Sequence, residues 1–465
     1  MKGLRGGWWV AAVALLARLC AALWGASRFP PTADGTYYHR LAQRIASGDG
    51  YTWLWPDGVV THAAHYPVGY PGMLAGPYAL FGGSPTVAMV VNAVVGALGC
   101  WAIHAVTRRH VGRRTAAVAG MLAAFHPALV LYTPALMTEG VVASAWAIAA
   151  WSAGEAADAA ERRRAGWLLA AAFVMGLATL IRPQSVLLAP FVGAIAWPGR
   201  RGWGAVVATA VTVACCAPWT LRNCDQMGRC AFVSVNGGWN LLIGTDPDGR
   251  GGWTELKVPE TCREVFDEAG KDACFQNAAR ERILADPIAW LSLVPRKLAV
   301  TLDYAGAPGW YLHASNPRAF DARAKLVLGV VETAFQRVLL AAAILAAWWR
   351  GRKKGWRGRW RRDVWRERVR GALAALAAVA TCWEHAVVAW LVLPVLLVTT
   401  RSPWSRPTWS MTVGAVASLV VVHAVFFGAG RYQLVVWLVI LGVAADGLVL
   451  LWRWGGQRRR RRQAR

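Results

Sequence analysis

Apolar runs long enough to cross a bilayer recur along almost all of this chain, and its basic residues gather in blocks between them. That pattern leaves few folds open. In hydrocarbon every backbone amide and carbonyl must be paired within the protein, so runs of this kind become helices. They fall near 8–26, 86–106, 115–131, 139–153, 166–181, 183–197, 204–220, 326–349, 371–384, 385–400, 409–428 and 433–452. An all-α polytopic membrane protein with about twelve transmembrane helices is expected. Hydrophobic residues make up 56% of the chain, more than water around a soluble domain of this size would tolerate.

The formal charge of +26 first suggests a nucleic-acid partner, but its distribution argues against one. Arg108, Arg109, Arg113 and Arg114, then Arg162 to Arg164, Arg200 and Arg201, the run at 350–370, Arg401 and Arg406, and Arg458 to Arg462 each sit between apolar runs. Short loops rich in Lys and Arg stay cytoplasmic, so each block assigns a side. Both chain ends then lie inside. Two short helices at 371–400 satisfy this rule, with Glu384 and His385 at their outer turn. A single helix there would place Arg401, Arg406 and the terminal arginines outside. Residues 8–26 also have the basic start and small closing residues of a signal peptide, but the apolar run is longer than a signal core. Trp356, Trp360 and Trp365 among arginines fit a segment lying on anionic lipid headgroups.

The topology divides the chain into a transmembrane module at 1–220 with an outer loop at 27–85, an outer domain at 221–325, and a second transmembrane module at 326–465. A multi-pass protein of the cytoplasmic (inner) membrane is expected, its polar segments facing the periplasm or exterior. The outer domain opens with the strand-like AFVSV and continues to a helical stretch near 260–285, which suggests a small mixed α/β unit. Cys224, Cys230, Cys262 and Cys274 all fall in it, and an oxidising compartment allows two disulfides. Cys224 with Cys230 and Cys262 with Cys274 is the favoured pairing. In an unbroken helix the second pair would stand about 18 Å apart, so the chain must fold back near Gly270. Cys20, Cys100, Cys215, Cys216 and Cys382 lie in apolar runs, where a thiol packs as a small hydrophobe.

Acids and bases at a lipid boundary need a partner or a function. Asp34 opens the outer loop and reads either as a general base or as the N-cap of a helix from Tyr37 to Ala46. Glu139 stands where the short turn 132–138 re-enters the membrane, as a second acid or as a charge in a helix first turn. Arg182, before Pro183, calls for an anion, either a lipid-linked phosphate or a carboxylate such as Glu139 or Asp34. Arg222 and Arg431 also fall at outer ends of spans, against the charge rule, and with Arg182 they suggest a phosphate clamp. His65 beside Tyr66 suits a hydrogen bond to phosphate or sugar. His62 and His65 have no third partner at metal-binding spacing, so no metal is expected. Arg18 is expected to snorkel or to pair within the bundle.

The ordered set of Asp34, Tyr38 and GDGY, then HYPVGYP, LMTEG, LIRP, PWTLRN, VSVNGGWNLLIGTDP and GAGRYQ resembles the polyprenol-phosphate-sugar-dependent glycosyltransferases of the GT-C fold. The likeness is particularly to the glycosyltransferase family 39 group, with its protein mannosyltransferases and lipid A aminoarabinose transferases. The resemblance implies a sugar donor on a polyprenyl phosphate, inversion at the anomeric carbon, and no cofactor, the lipid-linked sugar being a substrate. The residues' own chemistry fits this: Asp34 is expected as general base with Glu139 as a second catalytic carboxylate, and Arg182, Arg222, Arg431 and His65 on the donor phosphate. Tyr38, Tyr66 and Tyr432 would shape the substrate site. The acceptor could be a glycolipid, a glycan or a secreted protein. One departure matters: Gly35 stands where many relatives carry a second acid, so Asp34 acts without a neighbouring carboxylate or Glu139 supplies that charge. A transporter or flippase of lipid-linked sugars is the alternative, although the polar residues crowd one face instead of mid-membrane.

Overall fold

A computed structural model describes residues 7–352, 361–400 and 403–463. Trp356, Trp360 and Arg401 lie outside the described residues. Among the described residues, eight helices are long and apolar enough to cross a membrane: Trp8–Ala26, Pro85–His110, Arg113–Leu131, Glu161–Ile181, Pro198–Gln226, Ala322–Gly351, Pro407–Val425 and Gly430–Gln457. The chain is a multi-pass, predominantly helical membrane protein. Shorter apolar helices at Pro183–Ala196 and Ala386–Val398 accompany them. The helix Glu139–Asp158 is packed on most sides, because its Ala, Gly and Ser residues let neighbouring backbones come close.

Burial sorts the helices into a centre and a rim. In its most apolar 18-residue stretch Gly430–Gln457 is 83% buried and forms the axis, whereas the corresponding stretch of Pro198–Gln226 is only 22% buried and leaves Val206 and Val213 exposed. Arg18 neither snorkels nor pairs with an acid. It donates to the Ala123 and Ala124 carbonyls at 3.1 and 3.2 Å, where the helix Arg113–Ala124 stops. The expected single span at 115–131 is broken there, because Pro127 has no amide hydrogen and the His126 side chain caps the short helix that follows. Residues 371–400 form a helical hairpin, Arg361–Ala380 and Ala386–Val398, whose turn holds Glu384 and His385 and also Cys382, which is exposed there instead of buried in a span.

The polar segments gather at one end of the bundle. Asn316 donates to the Arg28 carbonyl at 2.9 Å, the Val387 amide to Asp303 at 2.6 Å, and the Gly428 amide to the Gly251 carbonyl at 2.8 Å. At the opposite end Arg109 pairs with Glu155 and Asp158, and Arg350 with the buried Asp446.

The loop end differs from expectation in three places. AFVSV forms no strand, because Trp219, Thr220 and Asn223 take the carbonyls of 231–233 and the Val235 amide bonds the Ala64 carbonyl. Among the described residues the only sheet is the antiparallel pair Thr52–Leu54 and Val60–His62, in the first loop. The helical stretch near 260–285 begins only at Glu268, capped by Asp267, and this break brings Cys262 onto Cys274, so the fold-back lies at 263–267 and not at Gly270. Cys224 and Cys230 form the second disulfide around Gly228.

Candidate active site

Four breaks in regular structure meet at the loop end. Ala33 adopts φ +49°, outside the range ordinary for an L-residue, and the helix Asp34–Ala46 starts immediately after it. Asp34 is therefore the first residue of that helix and not its cap, and its carboxylate is free of backbone amides. Glu139 likewise opens its helix. Arg182 is extended, as a residue before proline is pressed to be, so its side chain leaves the axis of Glu161–Ile181. Arg431 sits in the 3-10 turn Gly430–Val436 at the head of the central helix.

These four side chains form one ionic network. Arg431 Nη1 donates to Asp34 Oδ2 at 2.7 Å, and its Nε lies 3.8 Å from Glu139 Oε1. Arg182 pairs with Glu139 through Nη2 and donates from Nε to Thr138 Oγ1 at 2.8 Å. The Tyr66 hydroxyl donates to Asp34 Oδ1 at 3.3 Å. Both guanidinium groups lie over the Tyr432 ring, at 5.2 and 5.1 Å, and Tyr432 in turn stacks on His423. Glu139 has no exposed surface, while Asp34 and Arg431 keep about a quarter of theirs. The two acids thus have different places: Glu139 is enclosed and charge-balancing, whereas Asp34 reaches the adjoining cavity. With Gly35 beside Asp34, the second carboxylate of the cluster is Glu139, joined to Asp34 through Arg431. Burial alone would raise the Asp34 carboxyl, but Arg431, Arg182 and the Tyr66 hydroxyl bring it below its ordinary value.

The cavity measures about 1280 Å³ and runs between the loop segments and the bundle. Asp34, Arg182, Arg431 and Tyr432 line its floor, and Tyr38, His65, Tyr66 and Trp239 line its wall. Tyr37 stacks on Tyr66 and meets Trp53 edge to face, which adds an aromatic rim. Burial lowers the affinity of His65 for a proton, against the pull of Glu268 and Asp34. His62 is exposed on its strand, and among the described residues no group of three His, Cys, Asp or Glu side chains could hold a metal ion.

Arg222 does not line this cavity. Its guanidinium donates to the Ala63 carbonyl at 2.7 Å and the Tyr51 carbonyl at 3.0 Å and lies over the Trp219 ring, so it staples the first loop. Arg222→Met is expected to make residues 51–68 more sensitive to protease, since the Ala63 and Tyr51 carbonyls lose their donor. Limited proteolysis checks this, and an unchanged cleavage pattern would show that Arg222 does not hold the loop. Glu268 is a site-shaping residue that sequence reasoning passed over. It accepts from the Ala64 and His65 amides at 2.7 and 2.9 Å and from the Trp53 indole. In sequence it reads only as an acid in a helix first turn.

Residues 65–221 match the dolichyl-phosphate-mannose-protein mannosyltransferase family. The matched stretch holds His65, Glu139 and Arg182, while Asp34 and Arg431 fall outside it. No curated protein matches the sequence. Among solved structures the chain is similar to ArnT from Cupriavidus metallidurans bound to undecaprenyl phosphate, at 16% identity over 95% of this chain and 78% of that one, with a TM-score of 0.42. It is also similar to the archaeal oligosaccharyltransferase AglB from Archaeoglobus fulgidus in complex with an inhibitory peptide and a dolichol-phosphate. That likeness has 14% identity, covers 97% of this chain and 52% of that one, and has a TM-score of 0.40.

Proposed function

We propose that this protein is a membrane glycosyltransferase of the GT-C type. It transfers a sugar from a polyprenyl-phosphate donor to an acceptor hydroxyl or amine, with inversion, at the outer face of the cytoplasmic membrane. The observation that carries the reading is the pair of Asp34 and Arg431, a recessed carboxylate and a guanidinium at 2.7 Å on the floor of a cavity. The family match over 65–221 supports a polyprenyl-phosphate sugar as donor.

In this mechanism Asp34 accepts the acceptor proton as the oxygen or nitrogen attacks the anomeric carbon. Arg431 and Arg182 stabilise negative charge on the departing phosphate. A phosphate oxygen competes with Asp34 and Glu139 for those donors, so donor binding loosens the Asp34 pair and frees its carboxylate to act. His65 donates to or accepts from the sugar or phosphate, and Tyr38, Tyr66 and Tyr432 wall the sugar. Glu139, with no exposed surface, keeps the two arginines fixed through the cycle. The sugar and the acceptor class are read from product.

The test is a mass-spectrometric profile of lipids, glycans and glycoproteins from cell envelopes with and without the protein. A sugar-sized mass increment present only with the protein is the expected result and identifies the acceptor class. An unchanged profile, together with movement of lipid-linked sugar across vesicles containing the protein, would overturn the reading in favour of transport.

A further inference from the structure

The two acids of the cluster come from segments far apart in sequence, and a single phenol oxygen touches both segments. Tyr311 lies in the helix Ala307–Ser315 and is only 1% exposed. Its hydroxyl oxygen accepts from the Thr32 amide at 3.2 Å and from the Leu136 amide at 3.4 Å. Thr32 lies two residues before Asp34, and Leu136 three residues before Glu139. The same helix is tied along the first of these segments by Ser315, which donates to the Pro30 carbonyl at 2.6 Å, and the neighbouring Asn316 holds the Arg28 carbonyl.

Gly35 closes the contact. A Cβ built there would lie 2.6 Å from the Tyr311 hydroxyl, 3.2 Å from the Leu136 carbonyl oxygen and 3.4 Å from its Cβ. The first turn of the Asp34 helix therefore rests directly on the Glu139 segment, with the phenol oxygen between them. We propose that Tyr311 is a positioning residue that fixes Asp34 relative to Glu139, and hence relative to Arg431, which both acids share. This rests on the glycosyl-transfer reading above.

The physical reason is the steep cost of misplacement. Reacting groups must be held in near-attack geometry, and a shift of about 1 Å costs on the order of 10²-fold in rate. Loss of one shared acceptor lets the two backbone segments move independently, while the arginines that hold the phosphate stay in place.

The test uses the full-length protein in lipid, as wild type, Tyr311→Phe, Gly35→Ala and the double variant, with kcat and donor KM measured for each. Tyr311→Phe is expected to lower kcat about tenfold with donor KM within twofold of wild type, a split that general loosening of the fold would not give. Gly35→Ala is expected to do the same, and the double variant to be no slower than Gly35→Ala alone, since removing the hydroxyl clears space for the added methyl. Gly35→Ala carries the test if Tyr311→Phe fails to fold. A wild-type kcat in Tyr311→Phe, or losses that simply multiply in the double variant, would overturn the positioning assignment alone. Absence of transfer by the wild type would overturn the transferase reading and this assignment with it.

Discussion

If Asp34 is the general base of the transfer proposed above, replacing it by Asn is expected to lower kcat by about 10²- to 10⁴-fold, the range for loss of a general base, and to leave donor KM unchanged or lower. The direction of the KM effect follows from the pairing. A neutral amide in place of the Asp34 carboxylate no longer balances the charge of Arg431, which then has only Glu139 at 3.8 Å and is more available to a phosphate. Steady-state kinetics with a polyprenyl-phosphate sugar gives both numbers. A loss confined to KM would place Asp34 in binding instead of proton transfer. The wild-type pH profile checks the same residue. Because Arg431 and its neighbours outweigh burial and depress the Asp34 carboxyl, its charged form persists to lower pH than that of an ordinary Asp, whose value is about 3.9, and is lost as pH falls through the lowered value. The acid limb of kcat/KM is therefore expected below about pH 4, with no break near pH 5 to 6 from this group. A break there would assign the base to another residue.

Arg182→Met has the largest expected effect on stability. Glu139 has no exposed surface, and its second carboxylate oxygen has no hydrogen-bond partner among the described residues, so Arg182 is its chief neutralising contact. Breaking a buried ion pair by removing one member costs about 3–5 kcal/mol. The thermal midpoint in detergent should fall clearly. Adding Glu139→Gln to Arg182→Met should recover most of that stability, since the uncompensated charge is gone, but should not restore transfer. A midpoint unchanged by Arg182→Met would mean that Arg431 alone suffices to hold Glu139, and that the ionic network is not cooperative.

The helices were legible in the sequence because a bilayer imposes its own code. Apolar runs must be helical in lipid, and each expected run corresponds to helix in the structure, from Trp8–Ala26 to the central helix beginning near Gly430. The break at Arg182 was legible from Pro183, which follows it. The break at Pro127 was passed over because the apolar composition continues through it. The strand-like AFVSV failed for the opposite reason: β propensity needs a neighbouring ladder, and side chains of the preceding helix had already taken its carbonyls.

At the site, the sequence by itself singled out Asp34, Glu139, Arg182, Arg222 and Arg431, because charges beside lipid are costly and stand out against apolar runs. Only the tertiary structure decided their partners. Arg431 joins Asp34 across almost the whole chain, Arg182 joins Glu139, and Arg222, equally conspicuous in sequence, is turned away to backbone carbonyls. Glu268 and Tyr311 had no such signal. An acid in a helix first turn and a tyrosine in a loop-end helix are ordinary locally, and their roles arise from contacts with residues about 200 and 280 positions earlier. Hydrophobic periodicity and charge cost are local or one-dimensional quantities and can be read along a chain. Which carboxylate meets which guanidinium is set by how helices pack, and that depends on every interface at once.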